Sequence, residues 1–327
     1  MQKFHKKDAM MPNFKQVDLG KIKTVSLSKR KSKVGSSQMA KVYNPAGQSF
    51  GGFVNSLPHI LVADDLRRLV DDIVKAHKQG KPVIFMIGAH VIKVGVSPLL
   101  IDLLKRKIIT CLAMNSAAAI HDVEIALCGK TSEDVSANLM DGSFGMSAET
   151  GEFINNTLKY AMSREKIGYG EALGKSLVKT PHKKLSLLAA CYLMDIPATV
   201  HAAIGTDIIH QQPTMDGAAT GEMSFRDFKI LCNIVKGLKG GGVVVNFGSA
   251  VLLPEVFLKA LTVARNLGAK AKGFTTANFD MIQHYRPRMN VVQRPTKDGG
   301  RGYMFTGHHE IMIPLFCAMI KNQMRTR

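Results

Sequence analysis

Two spacings of apolar residues alternate along this chain. Short unbroken apolar or β-branched runs occupy positions 82–88, 108–114, 196–203, 243–245, 271–276 and 302–306. Runs of this length, bounded by Gly, Pro or polar residues, read as strands buried on both faces. Between them apolar residues recur every three or four positions. In 62–77, Leu66, Leu69, Val70, Ile73 and Val74 share one helical face. The same period predicts helices over 97–106, 118–127, 132–139, 184–194, 224–238, 254–267 and 309–322. Two more lie within 148–179 and part near Gly168. Pro98 and Pro254 fall in first turns, where a missing N–H costs nothing, and Gly268 marks a helix end. Strand and helix alternate throughout, so the fold class is α/β with a mainly parallel sheet.

The most regular unit is 240–277. The triplet Gly240 to Gly242 opens one strand, a small-residue turn from Asn246 to Ala250 leads into a helix, and a second strand closes at Thr275, Thr276 and Ala277. In an open parallel sheet, ligands bind at the carboxyl ends of strands, where helix N-termini and free backbone N–H groups converge. Four predicted strand ends carry small or polar residues: Gly88-Ala89-His90, Asn115-Ser116-Ala117, Asn246 to Ser249, and Thr275-Thr276-Ala277. Two long loops, 205–222 and 278–301, add to the same rim. With them come Asp216, Glu222, Asp280, His284, Arg286 and His308. Carboxylates there could hold ribose hydroxyls or an amine. The plainer alternative is that an Asp or Ser at a strand end only caps the next helix.

His90, His121, His201, His210, His284, His308 and His309 also fall near strand ends or in these loops. No pair among them has the short helical spacing of a metal site. They suit hydrogen bonding or acid–base work instead, and no metal is expected. GxGxxG, Walker A, GxSxG and HExxH motifs are all absent.

Composition narrows the class further. The 327 residues are 46% hydrophobic, enough for a large core. No apolar run is long enough to span a bilayer, and the basic N-terminus lacks the apolar centre of a signal peptide. A cytoplasmic protein with no membrane partner is the expectation. Five cysteines without CxxC spacing read as free thiols. The net charge is +19, and the first 34 residues hold ten Lys or Arg against two Asp. Residues 1–52 therefore read as a basic arm and linker. Such an arm can touch nucleic acid, but no aromatic interleaving accompanies it, so a solvated arm or one packed on a neighbouring subunit is favoured.

From residue 62 to 320 the order of segments resembles deoxyhypusine synthase. The resemblance is carried by Leu112 to Leu127 (LAMNSAAAIHDVEIAL), Ile196-Pro197 with Asp216-Gly217, GGGVVV at 240–245, Thr275-Thr276-Ala277 with Asp280, Arg286-Pro287, and His308 to Leu315 (HHEIMIPL). It implies a Rossmann-like sheet with helices on both faces in a single NAD-binding α/β domain, residues 53–327. It also implies a homotetramer with sites between paired subunits. By position, NAD would lie against Asn115, Ser116, Ala117, Asp216, Thr275, Thr276, Ala277, Asp280 and His308. Glu222 would stand where the family keeps a carboxylate for the polyamine. The family's Trp-Gly-Lys segment is missing, and the chain has no Trp. Lys297 is the nearest candidate for its lysine, and His284 is a candidate acid–base group on the rim. The family histidine after the Gly-rich strand falls on Asn246 or Phe247, and a late carboxylate falls on His308. Amine transfer through an enzyme imine needs the missing lysine. The expectation is therefore an NAD-dependent transferase acting on a polyamine or other small amine without making deoxyhypusine. The alternatives are a binding or scaffold protein that keeps the pocket, and a histidine-based metal enzyme.

Overall fold

The computed structural model describes residues 14–325. Residues 1–13 of the basic arm lie outside them. From 14 to 49 the arm is extended backbone broken by three single turns, Leu19–Lys21, Leu27–Lys29 and Ser36–Gln38. Its apolar side chains stay in solvent: Phe14 is 79% and Val42 95% exposed.

Regular structure starts with α1 (Phe50–Ser56) and α2 (Leu61–Lys78), then β1 (Val83–Ile87), α3 (Ala89–Lys93), α4 (Ser97–Lys105) and β2 (Cys111–Asn115). Next come α5 (Ser116–Cys128), α6 (Val135–Asp141), α7 (Ala148–Arg164), α8 (Tyr169–Leu177), α9 (Leu187–Leu193) and β3 (Ala198–His201). The chain ends with α10 (Gly217–Val235), β4 (Val243–Phe247), α11 (Leu252–Asn266), β5 (Thr275–Asp280), β6 (Arg301–Thr306) and α12 (His309–Arg325). A π-helical segment, Pro287–Gln293, lies between β5 and β6.

All six strands are parallel, in the order β3-β2-β1-β4-β5-β6. Successive side chains alternate between two cores, as strand geometry requires. Val83, Phe85 and Ile87 join one core with α2, α5 and α12, while Ile84 and Met86 join the other with α11 and the end of α10. Strands clad on both faces cannot alternate with polar residues, which is why they read as continuous apolar runs. The class is α/β and Rossmann-like. The order reverses between β1 and β4, so the topological switch point lies at their carboxyl ends.

Two expected boundaries move, and both displace site residues. The strand expected over 271–276 is β5, Thr275–Asp280. Thr275 pairs with Val243 at the start of β4, so Thr275 and Thr276 lie at the amino edge and Ala277 within the strand. The polar Asn278 looked like a loop residue. Its carbonyl oxygen instead accepts from Asn246 Nδ2 at 2.7 Å, and its amide donates to Gln283 at 2.8 Å. These bonds offset burial in a central strand. Second, the expected loop 205–222 ends early. Helix α10 begins at Gly217, not Ser224, because Asp216 caps it and Ala219, Thr220 and Met223 pack into the protein. Packing overrides the low helix propensity of Gly217 and Gly221.

Candidate functional site

Helix α5 starts directly at the carboxyl end of β2. The Asn115 side chain accepts from the Ala118 N–H at 2.9 Å and caps it. Ser116 and Ala117 follow. They are the first two residues of a 13-residue helix, Ser116 buried and Ala117 partly exposed at the positive end of its dipole. Ser116 Oγ donates to Asp207 Oδ2, which arrives on the loop after β3.

His210 lies on the same loop. Its Nδ1 accepts from the backbone N–H groups of Gly205 at 3.1 Å and Asp207 at 3.2 Å. The neutral ring therefore carries its proton on Nε2. That nitrogen is buried, makes no hydrogen bond among the described residues, and lies 4.0 Å from Asp207 Oδ2. Burial pushes the Asp207 carboxyl above its ordinary value, against the opposing pull of Ser116, His210 and His121.

One turn into α5, His121 Nδ1 lies 2.6 Å from Thr131 Oγ1, and Thr131 donates to Glu124 Oε2. Burial raises the Glu124 carboxyl, but the bonds from His121 and Thr131 outweigh it and hold the group below its usual range. Lys93, Ala117, His121, Glu124 and Asp207 line a cavity of 210 Å³. A second cavity of 620 Å³ adjoins it, sharing Glu124, Ser132 and Glu133. Together they fall within the size of small-molecule sites, roughly 300–1,000 Å³.

A second cluster stands at the switch point. A Cβ on Gly88 would lie 2.5 Å from the Gly248 carbonyl oxygen, so the loops after β1 and β4 touch backbone to backbone. His309 Nε2 donates to the Phe279 carbonyl at 3.1 Å, which leaves Nδ1 buried with no partner. The His309 ring is 5.7 Å from that of His90. Asp280, at the end of β5, accepts from Met281 N–H through Oδ1, and its Oδ2 is buried without a partner.

Of the residues singled out from the sequence, Ala117 lines the cavity, Asn115 and Ser116 directly precede it, and Asp280, His284 and His308 share its edge of the sheet. His284 is exposed just after β5, and His308 is exposed and 3.7 Å from Glu310. Thr275, Thr276 and Ala277 are elsewhere: Thr275 Oγ1 donates to Asp72 of α2 at 2.8 Å on the amino edge. Lys297 is exposed in the turn before β6, also on the amino edge. Asp216 spends its carboxylate on capping α10. Glu222 is inside α10 and accepts from Arg226 at 2.7 Å, and this bond holds its carboxyl low. The sequence reading missed Asp207, Glu124 and Thr131. Two signals were available: Asp207 and His210, and His121 and Glu124, stand three apart beside the β3 end and the α5 start. Among the described residues, no three His, Cys, Asp or Glu side chains are grouped to hold a metal ion, and no helix is long and apolar enough to cross a membrane.

No protein-family model matches the sequence, and no curated protein matches it. Solved structures do share the fold. One, from Entamoeba histolytica and provisionally described as a deoxyhypusine synthase, aligns over 86% of this chain and 96% of its own, with a TM-score of 0.52 at 11% identity. A LOR/SDH protein of Methanococcus maripaludis S2, also provisionally so described, aligns over 80% and 70% with a TM-score of 0.50 at 15% identity. AgrE, solved as a ternary complex with ornithine and NAD+, aligns over 80% of this chain and 33% of its own, with a TM-score of 0.50 at 13% identity. The chain thus spans a third of AgrE. At these identities the likeness is one of fold. The protein has a Rossmann-like architecture.

Proposed function

We propose that this chain is an NAD-dependent enzyme of the deoxyhypusine-synthase-like kind, a transferase acting on a polyamine or other small amine without forming deoxyhypusine. One observation carries the reading: Ala117 in the first turn of α5 and Asp207 line one cavity, on the carboxyl edge of a sheet with a switch point.

The residues fit a dinucleotide. Orphaned polar atoms mark both clusters, His210 Nε2 near the β2 and β3 ends and Asp280 Oδ2 at the β5 end. From β2 to β5 is three strand spacings, roughly 14 Å, a span suited to a dinucleotide laid along the edge. Asp207 would take a ribose hydroxyl, and the first N–H groups of α5 with Lys93 would face the pyrophosphate. Bound NAD+ supplies a hydride acceptor. Glu124, Glu133 and Glu149 of the larger cavity would hold an amine's positive charge. Lys297 faces away from all of this, which supports chemistry without an imine on that residue. The amine and the homotetramer we infer from the resemblance to deoxyhypusine synthase.

Mass spectrometry of small molecules released from the purified protein, with calorimetry against NAD+, tests the reading. Co-purified NAD or saturable heat supports it. No heat at millimolar NAD+ favours the alternative, a binding or scaffold protein that keeps the pocket. Light scattering that shows a monomer at micromolar concentration removes the tetramer.

A further inference from the structure

We propose that His121 is the proton acceptor of this site, presenting an unprotonated Nε2 to a substrate ammonium group. The inference rests on the proposed amine reading for its substrate class. Its geometry stands independently.

Thr131 has one hydroxyl hydrogen, and it goes to Glu124. Toward His121 Nδ1, 2.6 Å away, Thr131 Oγ1 can therefore only accept. The proton of neutral His121 must then sit on Nδ1, and the lone pair on Nε2. Among the described residues that nitrogen has no hydrogen-bond partner, it is not one of the sealed polar atoms, and the ring lines the cavity beside the first turns of α5. Glu124 Oε1 also accepts from Thr150, so the carboxylate is fixed at both oxygens. The arrangement is a relay, Glu124–Thr131–His121, whose open end is a base.

In the step, an N–H bond of the ammonium breaks and an Nε2–H bond forms. The electron pair stays on the substrate nitrogen as a free amine, and the imidazolium charge faces Glu124. Other charged groups line the same cavity: Asp207 from the loop after β3, Lys93 from α3, and Glu133 from the segment before α6. Asp207 is coupled to both His121 and the buried His210. His210 holds the opposite tautomer, with its proton on Nε2.

Long-range proton–nitrogen spectra of the full chain, labelled with ¹⁵N in histidine, test this without any ligand. The expected result is His121 protonated on Nδ1 at neutral pH. Glu124→Gln should mix the two tautomers, because the carboxylate that takes the Thr131 hydroxyl hydrogen is gone. Thr131→Val should mix the two tautomers and Thr131→Ser should restore one, which a purely structural threonine would not do. A dominant Nε2–H tautomer, or a tautomer ratio unmoved by Glu124→Gln, overturns the assignment. Calorimetry with NAD+ on the wild type separates this from the cofactor reading. The wrong tautomer with intact NAD+ binding sinks His121 alone. The expected tautomer without NAD+ binding sinks the cofactor alone.

Discussion

The Asp216 carboxylate accepts from the backbone N–H of Ala219 at 2.9 Å and so caps α10. Asp207, nine residues earlier, instead faces the cavity at the start of α5. The two should separate cleanly on substitution. Asp216→Ala should cost about 1 kcal/mol of stability, as lost caps do, and leave NAD+ affinity nearly unchanged. Asp207→Ala should weaken NAD+ roughly tenfold or more through a lost charge-assisted hydrogen bond. Urea denaturation and calorimetry read the two effects, and a reversed pattern would return the ribose role to Asp216.

Gly88 has an ordinary negative φ, so its absence of a side chain reflects space alone. An added Cβ would meet the Gly248 carbonyl oxygen at 2.5 Å and its carbon at 2.9 Å, both backbone atoms that cannot swing away. Gly88→Ala should force the β1 and β4 loops apart and cost about 1–3 kcal/mol. A thermal melt identical to wild type would show that the contact is looser than drawn.

Asp227 should make stability depend on pH. Its Oδ2 accepts from the N–H groups of Gly170 at 2.8 Å and Val200 at 2.6 Å, while Oδ1 is buried without a partner. Burial dominates and pushes the carboxyl up to about 8 from an ordinary 3.8. A raised folded value means the group's contribution is complete below 3.8 and is lost as pH rises through about 8. Wild-type stability should therefore fall between pH 5 and pH 8.5, and Asp227→Asn should flatten that fall. Equal slopes in urea midpoints for the two proteins would contradict this.

Much of the fold is legible in the pattern of apolar residues. The stripe from Leu66 to Val74 places α2 within one residue of its ends, and the break near Gly168 is real. That break has a tertiary cause invisible in sequence: a Cβ at Gly168 would lie 1.7 Å from Asp227 Oδ1. The site is less legible for the same kind of reason. Ser116 and Asp207 are 91 positions apart and meet only because β2 and β3 are neighbours. Polar Asn246 and Asn278 hide a strand because one hydrogen bond joins them, Asn246 donating and Asn278 accepting. Asp216-Gly217 resembled a ligand loop because helix caps and ribose-binding loops draw on the same residue types.

Backbone amide shifts of the full chain, followed while NAD+ is added, give the most direct test. The expected result is saturable change concentrated at 116–121, 206–210 and around Asp280, with the amino edge at 273–275 and 297–301 silent. No saturable change at millimolar NAD+, or change confined to the amino edge, would contradict a cofactor site at the start of α5.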